Sequence, residues 1–289
     1  MRIAHTSDIH IDTSPRNREA AKAMAAAMGG LEPEVIVLAG DVGNTIGDLE
    51  KTLALFSELA VAKLFVPGNH DVWIERRNGT SLDSRTKYEK HIPEACREYG
   101  FHDLGQEPVI IGDTGFVGSL GWYDYSFADP RLGLTADDYW RGQYEDEIWW
   151  DKEMTFWPPP RATRTTPDKK RMRDQDLCAE LCDCLKTDLE GIEDKVDRIV
   201  AVIHTLPFVE TFPRSDPPYY LDAYTGSETL GNTLRANSKV THCINGHKHT
   251  NGDWEIGTIR VHRRVLGSID AGEDIGERAR NAVGVIDLP

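Results

Sequence analysis

The sequence predicts an α/β fold, a parallel sheet covered by helices, on three observations. Strand-length apolar runs alternate with helical periodicities through the first seventy residues. The strand runs are continuous rather than alternating, as in strands buried on both faces. Each ends in a tight turn carrying ionisable or amide side chains, and parallel sheets bind ligands beyond the carboxyl ends of their strands.

The elements follow in order. Arg2–Ser7 is a strand ending in Asp8. Pro15–Gly30 is rich in Ala and Met and reads as a helix stopped by a Gly pair. Val35–Ala39 is an apolar strand ending in Gly40-Asp41. Asp48 is placed to cap a helix whose Leu49, Leu53, Phe56 and Leu59 recur at helical spacing. Lys63–Val66 is the next strand and runs into Pro67-Gly68-Asn69-His70-Asp71. Further on, Pro108–Ile111 and Gly115–Leu120 read as strands across a Gly-Asp-Thr-Gly turn. Arg198–Ile203 ends in His204, and Val240–Asn245 ends in Gly246-His247-Lys248-His249. Trp254–Leu266 reads as a hairpin and Ala282–Leu288 as a last strand. A helix is expected from about Lys169 to Leu189.

The polar strand ends make one set: Asp8-x-His10, Gly40-Asp41, Gly68-Asn69-His70-Asp71, His204 and Gly246-His247-x-His249. Carboxylate and amide oxygens mixed with imidazoles suit Mn, Fe, Zn, Ni or Co. One aspartate can serve two ions through its two oxygens. Seven ligands with one shared carboxylate then give four protein contacts to each ion.

This set resembles the signature of the calcineurin-like metallophosphoesterase superfamily, all five blocks in order across residues 8 to 249. Gly-Asp alone carries little information, and five ordered blocks carry much. The resemblance implies a four-layer sandwich of two mixed sheets face to face with helices outside. It implies two metal ions, Mn or Fe favoured. Asp8, His10 and His249 would hold one ion, and Asn69, His204 and His247 the other. Asp41 would bridge them and take part in catalysis. His70 would face the phosphate as general acid or transition-state stabiliser. The implied reaction is attack on a phosphate ester by a metal-bridging hydroxide. The protein-phosphatase branch has an aspartate three residues after the bridging one, where this chain has Asn44. Asn44 can accept a hydrogen bond from His70 but offers no charge to raise its pKa. With Gly-Asn-His-Asp and Gly-His-Lys-His, the chain is closer to the phosphodiesterase and nuclease branches than to the Ser/Thr phosphatases.

Other residues have plainer readings. His5 shares a strand face with Ser7 rather than Asp8, so packing is expected. His91, His102, His242 and His262 match no block. Cys178, Cys182 and Cys184 sit on a predicted helix where only the first two share a face, which is poor metal-site geometry. Cys243 lies in an apolar strand and is expected in the core. Arg76 and Arg77, a few residues past the Gly-Asn-His-Asp block, are candidates with Asn69 for holding a substrate phosphate, or else solvated arginines.

The whole chain, 1–289, is read as one metallophosphoesterase domain with an insertion at 122–167. The insertion holds five of the seven tryptophans and a run of acids, then turns basic after Pro158-Pro159-Pro160. It reads as a cap over the site or as a homo-oligomer surface, with ordinary packing as the third reading. Over the whole chain, 33 Lys and Arg face 48 Asp and Glu, a net charge of -15. That balance argues against coating long duplex nucleic acid. No apolar run is long enough to span a membrane, and the N-terminus lacks a secretory pattern. Five cysteines in such a chain predict reduced thiols and a cytoplasmic protein. The expected function is metal-dependent hydrolysis of a small or nucleotide-like phosphodiester, including cyclic nucleotides. Phosphomonoesterase activity on a nucleotide, sugar phosphate or phosphoprotein is the alternative. A DNA nuclease acting on short or single-stranded ends is a further enzyme reading. A non-catalytic interaction scaffold is the reading from another class, disfavoured by the complete ligand set.

Overall fold

The computed structural model describes residues 1–74, 83–160 and 171–289. In chain order its strands are β1 (Arg2–Thr6), β2 (Val35–Leu38), β3 (Ala62–Phe65), β4 (His102–Asp103), β5 (Val109–Ile111), β6 (Thr114–Ser119), β7 (Gln143–Tyr144), β8 (Glu147–Ile148), β9 (Arg198–Ile203), β10 (Val240–Asn245), β11 (Gly252–Ile256), β12 (Ile259–Arg263) and β13 (Gly284–Asp287). One sheet runs β13-β1-β2-β3-β4, parallel except for β13. The other runs β11-β12-β10-β9-β6-β5, with antiparallel strands only at its two edges. Two large mixed sheets with helices are the architecture the resemblance implied.

The continuous apolar runs have a direct cause here. Ile3, Val35, Val37 and Leu64 of the first sheet meet Phe116, Val200, Val202 and Ile244 of the second in one buried cluster. The opposite faces, Ala4, Ile36 and Phe65 in one sheet and Val117, Ile199 and Ala201 in the other, lie in the apolar cluster that the helices join. A strand buried on both faces cannot alternate polar and apolar residues.

Helix α1 (Pro15–Gly30) starts where Ser14 accepts a hydrogen bond from the Asn17 N–H and Pro15 takes the first helical position. Helix α2 (Ile46–Phe56) buries Leu49, Leu53 and Phe56 as its periodicity predicts, but it ends before Leu59, which is only partly buried, and its cap is Thr45, not Asp48. Thr45 Oγ1 accepts from the Asp48 N–H, and the Asp48 carboxylate accepts from the Thr45 hydroxyl at 2.6 Å. Asp48 therefore adds first-turn negative charge three residues inside the helix. The later helix spans Asp174–Ile192 and buries Cys178 and Cys182 while Cys184 is exposed. Lys169 and Lys170, at its expected start, lie outside the described residues, as do Arg76 and Arg77. Among the described residues no helix is long and apolar enough to cross a membrane.

His5 is 1% exposed, and its Nδ1 has no hydrogen-bond partner. Burial, then the nearby His262 and Arg264, pushes its pKa down to about 3. Below about pH 6.5 the unfolded chain takes up a proton that folded His5 refuses, so stability falls as the solution is acidified. Wild type should lose about 2 kcal/mol more than His5→Gln between pH 7 and pH 5. Urea melts of both proteins at the two pH values measure this. Equal losses would mean that His5 titrates normally in the fold.

Candidate active site

The predicted residues converge at the carboxyl ends of strands from both sheets. Asp8 and His10 follow β1, Asp41 follows β2, and Asn69 and His70 follow β3. His204 follows β9, and His247 and His249 follow β10. Asp8, His10, His249 and Asp41, His204, His247 form two clusters, each with its donor atoms within 4.8 Å of one another.

The turns that make this convergence are strained. Asp8, His10, Asp41 and His247 have φ of 52°, 44°, 53° and 66°. Left-handed backbone at a non-glycine residue costs on the order of 1 kcal/mol or more and persists only where its surroundings enforce it. Main-chain bonds supply that enforcement: Asp8 N–H to Gly40 O at 2.9 Å and His10 N–H to Asp41 O at 3.0 Å. Two glycines permit the crowding. A Cβ on Gly68 would sit 2.2 Å from Asp41 Oδ1, and one on Gly246 2.5 Å from Asp8 Oδ2.

Asp41 lies between the clusters. Its Oδ2 is 3.3 Å from His204 Nε2 and 3.9 Å from His10 Nε2, while its Oδ1 accepts the His70 N–H at 2.8 Å. Asn69 Oδ1 is 3.1 Å from His204 Nε2 and 2.9 Å from His247 Nδ1. In the other cluster His249 Nε2 is 3.4 Å from Asp8 Oδ1 and 3.3 Å from His10 Nε2.

The proton inventory shows what this donor set suits. His204 Nδ1 donates to the Ala39 carbonyl at 2.8 Å, and His247 Nε2 to the Tyr224 carbonyl at 3.0 Å. Neutral His247 therefore turns its Nδ1 lone pair toward Asn69 Oδ1, while His204, held cationic beside Asp41, carries on Nε2 a proton that a bound cation would replace. Acceptors facing acceptors repel unless a cation sits among them, so the residues fit divalent metal ions. The local field is correspondingly negative. Burial opposes charge on His204, but Asp41 and Asp8 hold its pKa up at about 10. Burial likewise opposes ionisation of Asp8, yet His249 and His204 hold it down at about 2. For His247, burial dominates, helped by His204, and its pKa falls to about 3.

His70 lies beside this centre, 4.8 Å from His10 between ring centroids, and stacks on Trp73 at 3.9 Å. Its Nδ1 is 2.9 Å from Asn44 Oδ1, the bond anticipated for Asn44. The Asn44 amide donates in turn to Asp12 Oδ2 at 2.6 Å, and Lys87 Nζ donates to the Asn44 carbonyl at 2.7 Å. Burial pushes the pKa of His70 down to about 4, with Asp41 opposing.

Two carboxylates at the site have no role in the sequence reading. Asp71 accepts four main-chain N–H groups, from Asp41, Val42, Gly43 and Gly68. Its place in the Gly-Asn-His-Asp block was the available signal. Asp151 accepts from Asn69 Nδ2 at 3.0 Å, and no local pattern around it points there. A cavity of about 260 Å³ opens over Asp41, Asn69, His70 and His247, walled by Trp149 and Tyr224. Of the other aromatic residues in 122–167, Trp122, Tyr123, Tyr125, Tyr139 and Trp157 are buried in the main core, while Trp150 is 58% exposed.

Known proteins resemble this chain in sequence and in fold. PptH, an [acyl-carrier-protein] phosphodiesterase of Mycobacterium tuberculosis, is 25% identical over 133 residues, 45% of this chain. The matched stretch covers 40% of that curated relative. Its crystal structure superposes with a TM-score of 0.70 at 20% identity, covering 92% of this chain and 89% of PptH. TT1561 of Thermus thermophilus gives 0.54 at 10% identity, with 99% and 98% covered. A dimetal phosphatase from Danio rerio gives 0.52 at 11% identity, with 91% and 86% covered. These superpositions show the fold. The calcineurin-like phosphoesterase profile matches residues 1–201, which include Asp8, His10, Asp41, Asn69 and His70. The chain therefore belongs to the calcineurin-like phosphoesterase family.

Proposed function

We propose that the protein is a metal-dependent phosphodiesterase. The observation that carries this reading is the meeting of two donor clusters at Asp41, whose Oδ2 is 3.3 Å from His204 Nε2 and 3.9 Å from His10 Nε2. Asp8, His10 and His249 would hold one cation, Asn69, His204 and His247 the other, and Asp41 would serve both. Mn or Fe is favoured among the first-row ions such ligands accept. When bound, such ions neutralise phosphoryl charge and make water a nucleophile near neutral pH.

The chain's own groups do the rest. Asn44 Oδ1 accepts the Nδ1 proton of His70, because the Asn44 amide nitrogen is committed to Asp12. Neutral His70 therefore offers Nε2 as an acceptor, and takes up a proton before acting as an acid toward the leaving oxygen. The anionic substrate favours that uptake. Trp149 and Tyr224 stack at 5.0 Å on one wall of the cavity and would receive the alcohol portion of the diester, so the 122–167 segment would contribute to the substrate rim through Trp149.

PptH is named for a carrier-protein diester and for phosphopantetheinyl hydrolysis. A phosphopantetheine diester and a nucleotide diester are the two substrates to compare here. In the first test, Mn²⁺-loaded protein should prefer bis-p-nitrophenyl phosphate to p-nitrophenyl phosphate at least about tenfold in kcat/KM, a difference of ~1.4 kcal/mol. Exhaustive chelation should abolish both activities. A preference for the monoester would reverse the assignment to a phosphomonoesterase, and activity surviving chelation would sink the metal-dependent reading.

A further inference from the structure

We propose that Asp151, from the 122–167 segment, is the positioning residue that fixes the Asn69 amide with its oxygen toward His204 and His247. The inference rests on the reading of Asn69 as a metal ligand. Asp151 is 2% exposed and separated from Asn69 by 82 residues in sequence. Its Oδ1 accepts from Asn69 Nδ2 at 3.0 Å and from Trp73 Nε1 at 2.7 Å, and its Oδ2 accepts the Tyr123 hydroxyl.

An ionised carboxylate only accepts, so the nitrogen of the Asn69 amide must face it. The amide oxygen is thereby turned to the other side, 3.1 Å from His204 Nε2 and 2.9 Å from His247 Nδ1. A flipped amide would set oxygen against carboxylate and put an NH₂ group, which cannot ligate a cation, in the ligand position. The same Asp151 oxygen holds Trp73, whose ring stacks on His70. Asp151 is itself anchored, because its carbonyl accepts from the Thr155 hydroxyl at 2.6 Å and from Arg171 Nη2 at 3.1 Å. One carboxylate thus sets a metal-facing oxygen and the platform beneath the candidate proton-transfer residue.

The role is one of placement, and that separates two conservative variants. Asp151→Asn keeps an oxygen with two lone pairs for Asn69 and Trp73 and turns its NH₂ toward the Tyr123 oxygen. Asp151→Glu keeps the charge but moves the acceptor by one methylene. Mn²⁺ is titrated calorimetrically into full-length, metal-free wild type and both variants. Wild type should bind two ions. Asp151→Asn should keep both affinities within about threefold, while Asp151→Glu should weaken one of them ~10–100-fold and spare the other.

Glu binding like wild type, or Asn binding as weakly as Glu, would overturn the proposal. If Asp151→Glu does not fold by circular dichroism, Asp151→Ser, whose reach is too short, replaces it. One weakened site then supports the proposal, and two intact sites overturn it. A wild type that binds fewer than two ions would instead defeat the reading of Asn69 as a ligand, and this inference with it.

Discussion

Asp41→Asn is expected to lower kcat/KM for bis-p-nitrophenyl phosphate by ~10³-fold or more, about 4 kcal/mol of transition-state stabilisation. Asp41 Oδ2 lies within 4 Å of histidines in both clusters, and its Oδ1 is taken by the His70 N–H. An amide has one oxygen for these duties and presents NH₂ to the remaining partners. The substitution is otherwise mild, since Asn tolerates the φ of 53° better than most residues. Circular dichroism should therefore show wild-type helix content. Melting with and without Mn²⁺ should show that the variant has lost most of the stabilisation that the ion gives wild type, because only a bound ligand raises stability by mass action. A kcat/KM within tenfold of wild type would remove Asp41 from the catalytic centre.

The strand-end residues were legible in the sequence for a physical reason. A parallel sheet places all its strand carboxyl ends on one edge, so polar residues that close successive apolar runs must become neighbours. Asp8, Asp41 and Asn69 obey this within one sheet, and His204 and His247 within the other; that the two edges face each other was legible only through the family resemblance. The supporting side chains do not follow such a rule. Asp151 reaches Asn69 across 82 residues, through a segment whose acidic and aromatic composition reads as surface. In the structure much of that composition is consumed internally. Asp174 receives the Trp122 indole and the Tyr125 hydroxyl and pairs with Lys152, all of them buried. A buried polar network and a solvated acidic face look alike in sequence, because only the partners differ. Thr45 and Asp48 differ for a related reason: both types cap helices, and only the chain's path shows which one the first free N–H groups meet.

Asp71→Ala should destabilise the metal-free protein by more than about 3 kcal/mol, and Asp71→Asn should do no better. Asp71 is 1% exposed, and its two oxygens serve two main-chain donors each. Oδ2 accepts from Asp41 N at 2.7 Å and Gly68 N at 2.7 Å; Oδ1 accepts from Val42 N at 3.0 Å and Gly43 N at 3.2 Å. Four donors matched to two oxygens leave an isosteric amide with no good orientation. Whichever way it turns, NH₂ meets two N–H groups that are buried and then unpaired. This is the reverse of Asp151, where the amide can keep the two bonds that matter, so the pair of Asn variants separates charge-and-acceptor demand from placement. The four N–H groups belong to the loop after β2 and to Gly68 just after β3, which makes Asp71 the tie between the loops carrying Asp41 and Asn69. Urea unfolding of chelated protein at pH 7 gives the stabilities. An Asp71→Asn variant within ~1 kcal/mol of wild type would show that the two loops hold their positions without this carboxylate.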